Sequence, residues 1–173
     1  TSSRNARGFC TGTLISENLL LTAGHCTSAD SVGQHVSFGY EKAPDGSILS
    51  QWTYPITDVV EDGRSLDYAV LRLGLEPGRR FGFAPITFTD PPAGERITLF
   101  QHPIGKTKKI ESGRVARLHR NHIKYSDVDT LKGSSGAGVF DSAGTLVGVH
   151  ALEGCTSGGG ENGEASGGGG GDD

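Results

Sequence analysis

The sequence predicts an all-β domain of antiparallel strands, a sandwich or a barrel, and three observations carry that expectation. Short apolar segments of four to seven residues alternate with Gly, Pro, Asp and Ser. No stretch keeps a 3.6-residue period over three turns. Gly supplies 28 of the 173 residues, and in a helix interior each costs about 1 kcal/mol relative to Ala, so a helical bundle is a poor fit.

Strands are expected at 9–15, 19–22, 36–40, 48–54 and 68–73, then at 97–101, 113–118, 122–125, 137–140 and 146–149. Each is rich in Val, Ile, Leu, Phe, Tyr or Thr, which suit a pleated, half-buried surface. Between the two groups lies a connector, 74–95, holding Pro77, Pro85, Pro91 and Pro92 with four Gly. The chain thus reads as a first β unit over 1–84 and a connector with a second β unit over 85–157. Residues 158–173 are Gly-rich and acidic with no large apolar side chain, so a flexible tail is expected.

Charge and hydropathy narrow the function classes. Net charge is -4. Residues 153–173 hold five acids and no Lys or Arg, leaving a nearly neutral body. That speaks against a nucleic-acid protein, which would carry a basic stripe. The basic cluster Lys106, Lys108 and Lys109 reads as a solvated strand face. No apolar run, Leu19 to Leu21 included, is nearly long enough to cross a membrane. No leader pattern opens the chain, so an exported protein would have this as its mature form. Three cysteines, Cys10, Cys26 and Cys155, form no C-x-x-C pair, so a structural metal site is not expected. A pair plus one left over is the simplest reading, and counting does not say which two pair.

Three local patterns carry reactive groups. Thr22-Ala23-Gly24-His25-Cys26 sets a His among small residues at a strand end. Asp67 stands directly before the apolar run 68–73. Lys132-Gly133-Ser134-Ser135-Gly136 sets hydroxyls among glycines, where the backbone turns sharply and amide N–H groups can converge on one point. Each alone has a bland reading: a structural His, a turn Asp, a Gly/Ser turn. Together they fall in the order His25, Asp67, Ser135, spaced by 42 and 68 residues. That order is one of three known for a Ser-His-Asp constellation.

On these motifs the sequence resembles the chymotrypsin-fold, trypsin-like serine peptidases over about residues 8–155. "CTGTLISENLLLTAGHC" is similar to their segment ending in the catalytic His. "DYAVLRL" is similar to their Asp strand, and "DTLKGSSGAGVFDSAGTLVGVH" to their nucleophile loop. The resemblance implies two antiparallel six-stranded β-barrels with a cleft between them. His25 and Asp67 would come from the first and Ser135 from the second, which lacks an evident closing strand unless "ENGEAS" supplies it. It further implies an oxyanion hole from the N–H groups of Gly133 and Ser135, a Cys10–Cys26 disulfide and no partner for Cys155, whose usual mate position is Leu131. Protein or peptide substrates, no metal or cofactor, a monomer and a secreted or periplasmic home follow. Ser134 stands where trypsin-type enzymes carry Asp, so activation by ion-pairing a new N-terminus is not expected.

Asp129-Thr130 through Gly136, with Gly148-Val149-His150 and "QHPIGK" (residues 101–106), resemble the bacterial branch of glutamyl endopeptidases. That resemblance implies that Thr130 and His150 bind an acidic P1 side chain. Asp129 occupies the place of a cation-binding pocket floor, so basic P1 residues stay open. An inactive peptidase homologue serving as a protein-binding module is the rival of another class.

Overall fold

The structure, a computed structural model, describes residues 10–152 and the backbone of 163–167. Five strands build the first sheet: β1 (Thr13–Leu14), β2 (Leu19–Ala23), β3 (His35–Phe38), β4 (Trp52–Gly63) and β5 (Tyr68–Leu73). Their order is β1-β2-β5-β4-β3, all antiparallel. A single helical turn, α1 (Gly78–Phe81), interrupts the connector. Six strands follow: β6 (Arg96–Gln101), β7 (Lys109–His119), β8 (His122–Ser126), β9 (Gly138–Phe140), β10 (Leu146–Leu152) and β11 (Gly163–Gly167). They close into a barrel, β10-β11-β8-β7-β6-β9.

The inward positions follow the period-2 pattern of the sequence. On β5, Ala69, Leu71 and Leu73 are buried and the residues between are not. Leu14, Leu20, Tyr54, Ile56, Leu71 and Leu73 form the first core. Ile97, Leu99, Val115, Ile123, Tyr125, Val128, Val139 and Val147 form the second. Each such side chain contributes roughly 1.5–3 kcal/mol through burial.

Two expectations about strands need correction. The first sheet has five strands among the described residues, not six, and does not close. Its β4 runs for 12 residues and pairs with both β5 and β3, with irregularities between Ile56 and Asp58 and between Val59 and Glu61. Bulges bend a strand, so one long strand turns a corner and serves two neighbours. Residues 48–51 join no strand; Ile48 makes an isolated bridge to Lys42. The second barrel is complete. Within the stretch read as a flexible tail, Gly163–Gly167 pairs on one side with β10 and on the other with β8. Cys155 and the rest of that stretch lie outside the described residues. Lys106, Lys108 and Lys109 are exposed as expected, and Lys108 pairs with Glu41 at 2.5 Å.

Polar side chains are buried in the second barrel as well, Gln101 on β6 and His150 on β10. His150 on β10 is fully buried, and its Nδ1 shares a hydrogen bond with the Tyr125 hydroxyl of β8. Its Nε2 has no partner among the described residues. Burial, with a smaller push from His25, holds its pKa down at about 4. A buried imidazolium would lose its hydration, so the ring stays neutral.

Two outcomes are expected. Leu99→Ala, at a site with no exposure, lowers unfolding free energy by about 3 kcal/mol. Phe88→Ala, at 78% exposure, changes it by less than about 0.5 kcal/mol. Denaturant titrations that found equal costs would contradict this core. For His150 the folded value, about 4, lies below the unfolded one of about 6.5. The unfolded chain therefore binds the proton first as pH falls. Stability from this group is full above about pH 6.5 and is lost between there and about pH 4, by roughly 3 kcal/mol. The wild-type minus His150→Gln difference should fall across that window; a flat difference would refute it.

Candidate active site

The end of β2 and the start of β5 pair directly, Ala23 opposite Tyr68. That register sets Gly24 and His25 against Asp67. The Gly24 N–H donates to the Asp67 carbonyl at 2.9 Å. The His25 backbone N–H donates to Asp67 Oδ1 at 2.7 Å, and His25 Nδ1 lies 2.7 Å from Oδ2. The carboxylate thus fixes both the main chain and the ring of His25. With Nδ1–H given to Asp67, Nε2 keeps its lone pair and is able to accept a proton. Asp67 has φ 54°, a left-handed conformation that Asp tolerates better than most residues. A Cβ at Gly24 would stand 3.1 Å from Asp67 Oδ1, a tight contact that glycine avoids.

The Ser135 loop is anchored in the opposite sense, by its carbonyls. Lys132 O accepts from Ile104 N–H at 2.6 Å and Ser134 O from Ala137 N–H at 2.9 Å. Gly133 O accepts from the Thr11 hydroxyl at 2.8 Å, and Ser135 O from Thr11 N–H at 2.7 Å. The amides of Ser134 and Gly136 donate to Leu131 O and His150 O, at 2.9 and 2.7 Å. The N–H groups of Gly133 and Ser135 have no acceptor among the described residues. A trans peptide points its N–H away from its C=O, so tying Lys132 O to Ile104 turns the Gly133 N–H away from that loop.

The Ser135 loop also meets the first β unit. Cys10 and Cys26 are joined in a disulfide with Cα atoms 6.1 Å apart. Thr11 follows the first, and His25 precedes the second. Cys26 Sγ lies 3.8 Å from Ser135 O. Ser135 is half-buried, and among the described residues no hydrogen bond joins its Oγ to His25. Ser134 is buried, and its hydroxyl accepts from Leu131 N–H at 3.2 Å. Its role here is local capping, consistent with the loss of the usual Asp at this place.

Asp129 is exposed and Thr130 half-buried. The Asp129 carbonyl accepts from Gln101 Nε2 at 2.8 Å, which ties the loop to β6. The His150 backbone meets the Ser135 loop, accepting from Gly136 N–H and donating to Ala137 O. Cys10, His25 and Cys26 bring possible metal-ligand atoms within 4.8 Å of one another, but both sulfurs are spent in the disulfide and thiolates are needed for such a site. A shallow groove of about 510 Å³ lined by Arg96, Phe100, Phe140 and Ser142 includes none of these residues.

Sequence reading missed Thr11, Ile104 and Tyr125. Thr11 bonds a residue 122 positions away, and no local pattern encodes that. Ile104 has φ 54° and ψ 31°, a conformation a β-branched residue adopts only when its surroundings impose it.

The trypsin-like peptidase domain model matches residues 10–149. Glutamyl endopeptidase of Bacillus licheniformis is 28% identical over 147 residues, covering 79% of this chain and 46% of that protein. Secreted RxLR effector protein 73 of Plasmopara viticola is 30% identical, covering 85% and 42%. Curated relatives are matched over 24% to 55% of their own length. A solved Glu endopeptidase in complex with MPD superposes with a TM-score of 0.69 at 29% identity, covering 91% of this chain and 79% of that one. The match runs through both sheets and all three reactive motifs, and the chain belongs to the family of trypsin-like peptidase domains with the chymotrypsin-like serine protease fold.

Proposed function

We propose that this chain is a serine endopeptidase that hydrolyses peptide bonds in proteins or peptides, preferring an acidic residue, Glu above all, on the acyl side. One observation carries the reading. The four carbonyls from Lys132 to Ser135 are capped, and over Gly133–Gly136 the N–H groups left without acceptors among the described residues are those of Gly133 and Ser135, beside a His25 ring already oriented by Asp67.

The Ser135 hydroxyl attacks the substrate carbonyl carbon and its proton passes to His25 Nε2. Asp67 holds the imidazole tautomer and stabilises the imidazolium. The carbonyl oxygen becomes an oxyanion that accepts from Gly133 and Ser135 N–H, each worth about 3 kcal/mol of barrier. His25 then gives its proton to the leaving amine. Water, deprotonated by His25, attacks the acyl-enzyme, and Ser135 leaves with its proton restored. None of these steps calls on a metal or cofactor.

Acidic specificity draws on His150, Thr130 and Asp129. If the Tyr125 hydroxyl donates to His150 Nδ1, the ring proton sits on Nε2, which has no partner among the described residues. Nε2–H and the Thr130 hydroxyl are both donors suited to a carboxylate. His150 is neutral at pH 7, so it would recognise the anion by hydrogen bonding. Asp129 is exposed, whereas a floor for a substrate cation needs a buried carboxylate. The relatives named for Glu cleavage agree with this choice. The disulfide and a relative whose name calls it secreted favour a secreted or periplasmic setting. A silent binding module is the second reading, favoured by the unmade bond between Ser135 and His25.

Labelling with a fluorophosphonate separates the two. One adduct on Ser135, lost in His25→Ala, is expected, and Ser135→Ala should abolish turnover with an unchanged melting temperature. Turnover surviving Ser135→Ala would overturn the triad. In a peptide library, cleavage after Glu should exceed cleavage after Lys by at least about tenfold in kcat/KM, a difference of 1.4 kcal/mol. Thr130→Val should reduce that ratio. A ratio favouring Lys would return Asp129 to the pocket floor.

A further inference from the structure

We propose that Thr11 is a positioning residue for the oxyanion hole, its hydroxyl a clamp from just before β1 that sets the second barrel's Gly133 peptide. This rests on the serine-peptidase reading above. Thr11 is buried, at 7% exposure. Its Oγ1 donates to Gly133 O at 2.8 Å and accepts from His102 N–H at 3.1 Å. Its main chain donates to Ser135 O at 2.7 Å and accepts the Thr22 hydroxyl at 2.7 Å.

The geometry gives the hydroxyl two routes to one N–H group. Gly133 has φ +100°, and a Cβ there would stand 2.8 Å from His102 O. Only glycine holds that conformation against the 102–105 turn. The peptide before Gly133 is tied by Ile104 N–H to Lys132 O, and the peptide after it by Thr11 Oγ1 to Gly133 O. Both sides of Gly133 are thereby fixed, and with them the direction of its N–H. Thr11 acts directly on the second tie. It acts on the first through His102, two residues before Ile104. A single buried hydroxyl, donor to one backbone group and acceptor from another, thus holds both. Through Thr22, two residues before Gly24, the same network reaches the His25 strand. The clamp therefore sets the oxyanion donor relative to the base.

Thr11→Val keeps the shape and removes both hydrogen bonds; Thr11→Ser keeps the hydroxyl and removes the methyl. Rates are taken per active site, counted by fluorophosphonate titration, so that misfolded protein does not enter. In Thr11→Val, kcat should fall 10- to 100-fold, part of what losing an oxyanion donor outright costs. KM should stay within about threefold, because a ground-state carbonyl uses the hole less than the oxyanion does. Inhibition by a peptide aldehyde, whose adduct places an oxyanion in the hole, should weaken by the same factor as kcat. Thr11→Ser should stay within about twofold of wild type. Should the Val variant not fold, Thr11→Ala adds no bulk and carries the same comparison with Ser. A per-site kcat in Val or Ala equal to wild type would overturn the proposal. So would a loss of kcat with aldehyde affinity unchanged. Wild-type protein that takes no fluorophosphonate would defeat the peptidase reading itself, a separate result.

Discussion

A hydrogen-bonded loop normally pairs its buried backbone groups, and leaving one unpaired costs roughly 1–3 kcal/mol. The turn from Gly133 to Gly136 departs from that rule at two nearby points among the described residues, the N–H groups of Gly133 and Ser135. Such an arrangement persists only if the rest of the loop has no freedom to turn those N–H groups inward. Capping of four successive carbonyls, Lys132 to Ser135, removes that freedom. Two of the four caps come from one residue, Thr11, two positions before β1 of the other unit. The cleft is therefore not simply where two β units happen to meet. It is where one unit supplies the hydrogen bonds that keep the other's loop poised.

The His25 side of the cleft obeys the same logic with a different currency of contact. Antiparallel pairing of β2 with β5 brings the two strand ends within hydrogen-bond reach. Asp67 then leaves the strand in a left-handed turn, so its carboxylate faces back across the end of β2. Two carboxylate oxygens serve two different N–H groups of one residue, backbone and ring. A single oxygen contact would leave the imidazole free to rotate about χ1 and χ2. Two contacts to the same residue fix where the ring starts as well as where it ends.

What was legible in the sequence was local. The strand Tyr68–Leu73 matches its expected bounds because alternation of Ala69, Leu71 and Leu73 states which face is inward. The pairing of His25 with Asp67 was legible through order and flanking small residues. What was not legible depended on distant partners. Strand β4 continues to Gly63 through Pro55, Asp58, Glu61 and Asp62, residues that read as turn or solvent. They fit because much of the strand is exposed and needs only its backbone paired. Asp129 illustrates a subtler limit: sequence position gives its place in the loop, while its exposure is a property of the folded loop.

Strand Gly163–Gly167 makes the same point from the energetic side. Its sequence, Gly-Glu-Ala-Ser-Gly, has little apolar surface to drive burial. Yet β10 and β8 would otherwise each present an unpaired row of N–H and C=O groups, and closing the barrel removes both edges at once. Val149 and His150 pair with this strand through the backbone on one side. On the other, β10 meets β9 and the Ser135 loop. A segment with almost no hydrophobic content thus braces the strand that carries His150 and accepts the Gly136 N–H. Composition alone predicts freedom for such a segment because it counts side chains. The barrel holds it because the ordering entropy is offset by backbone hydrogen bonds on both edges, a term to which composition is blind.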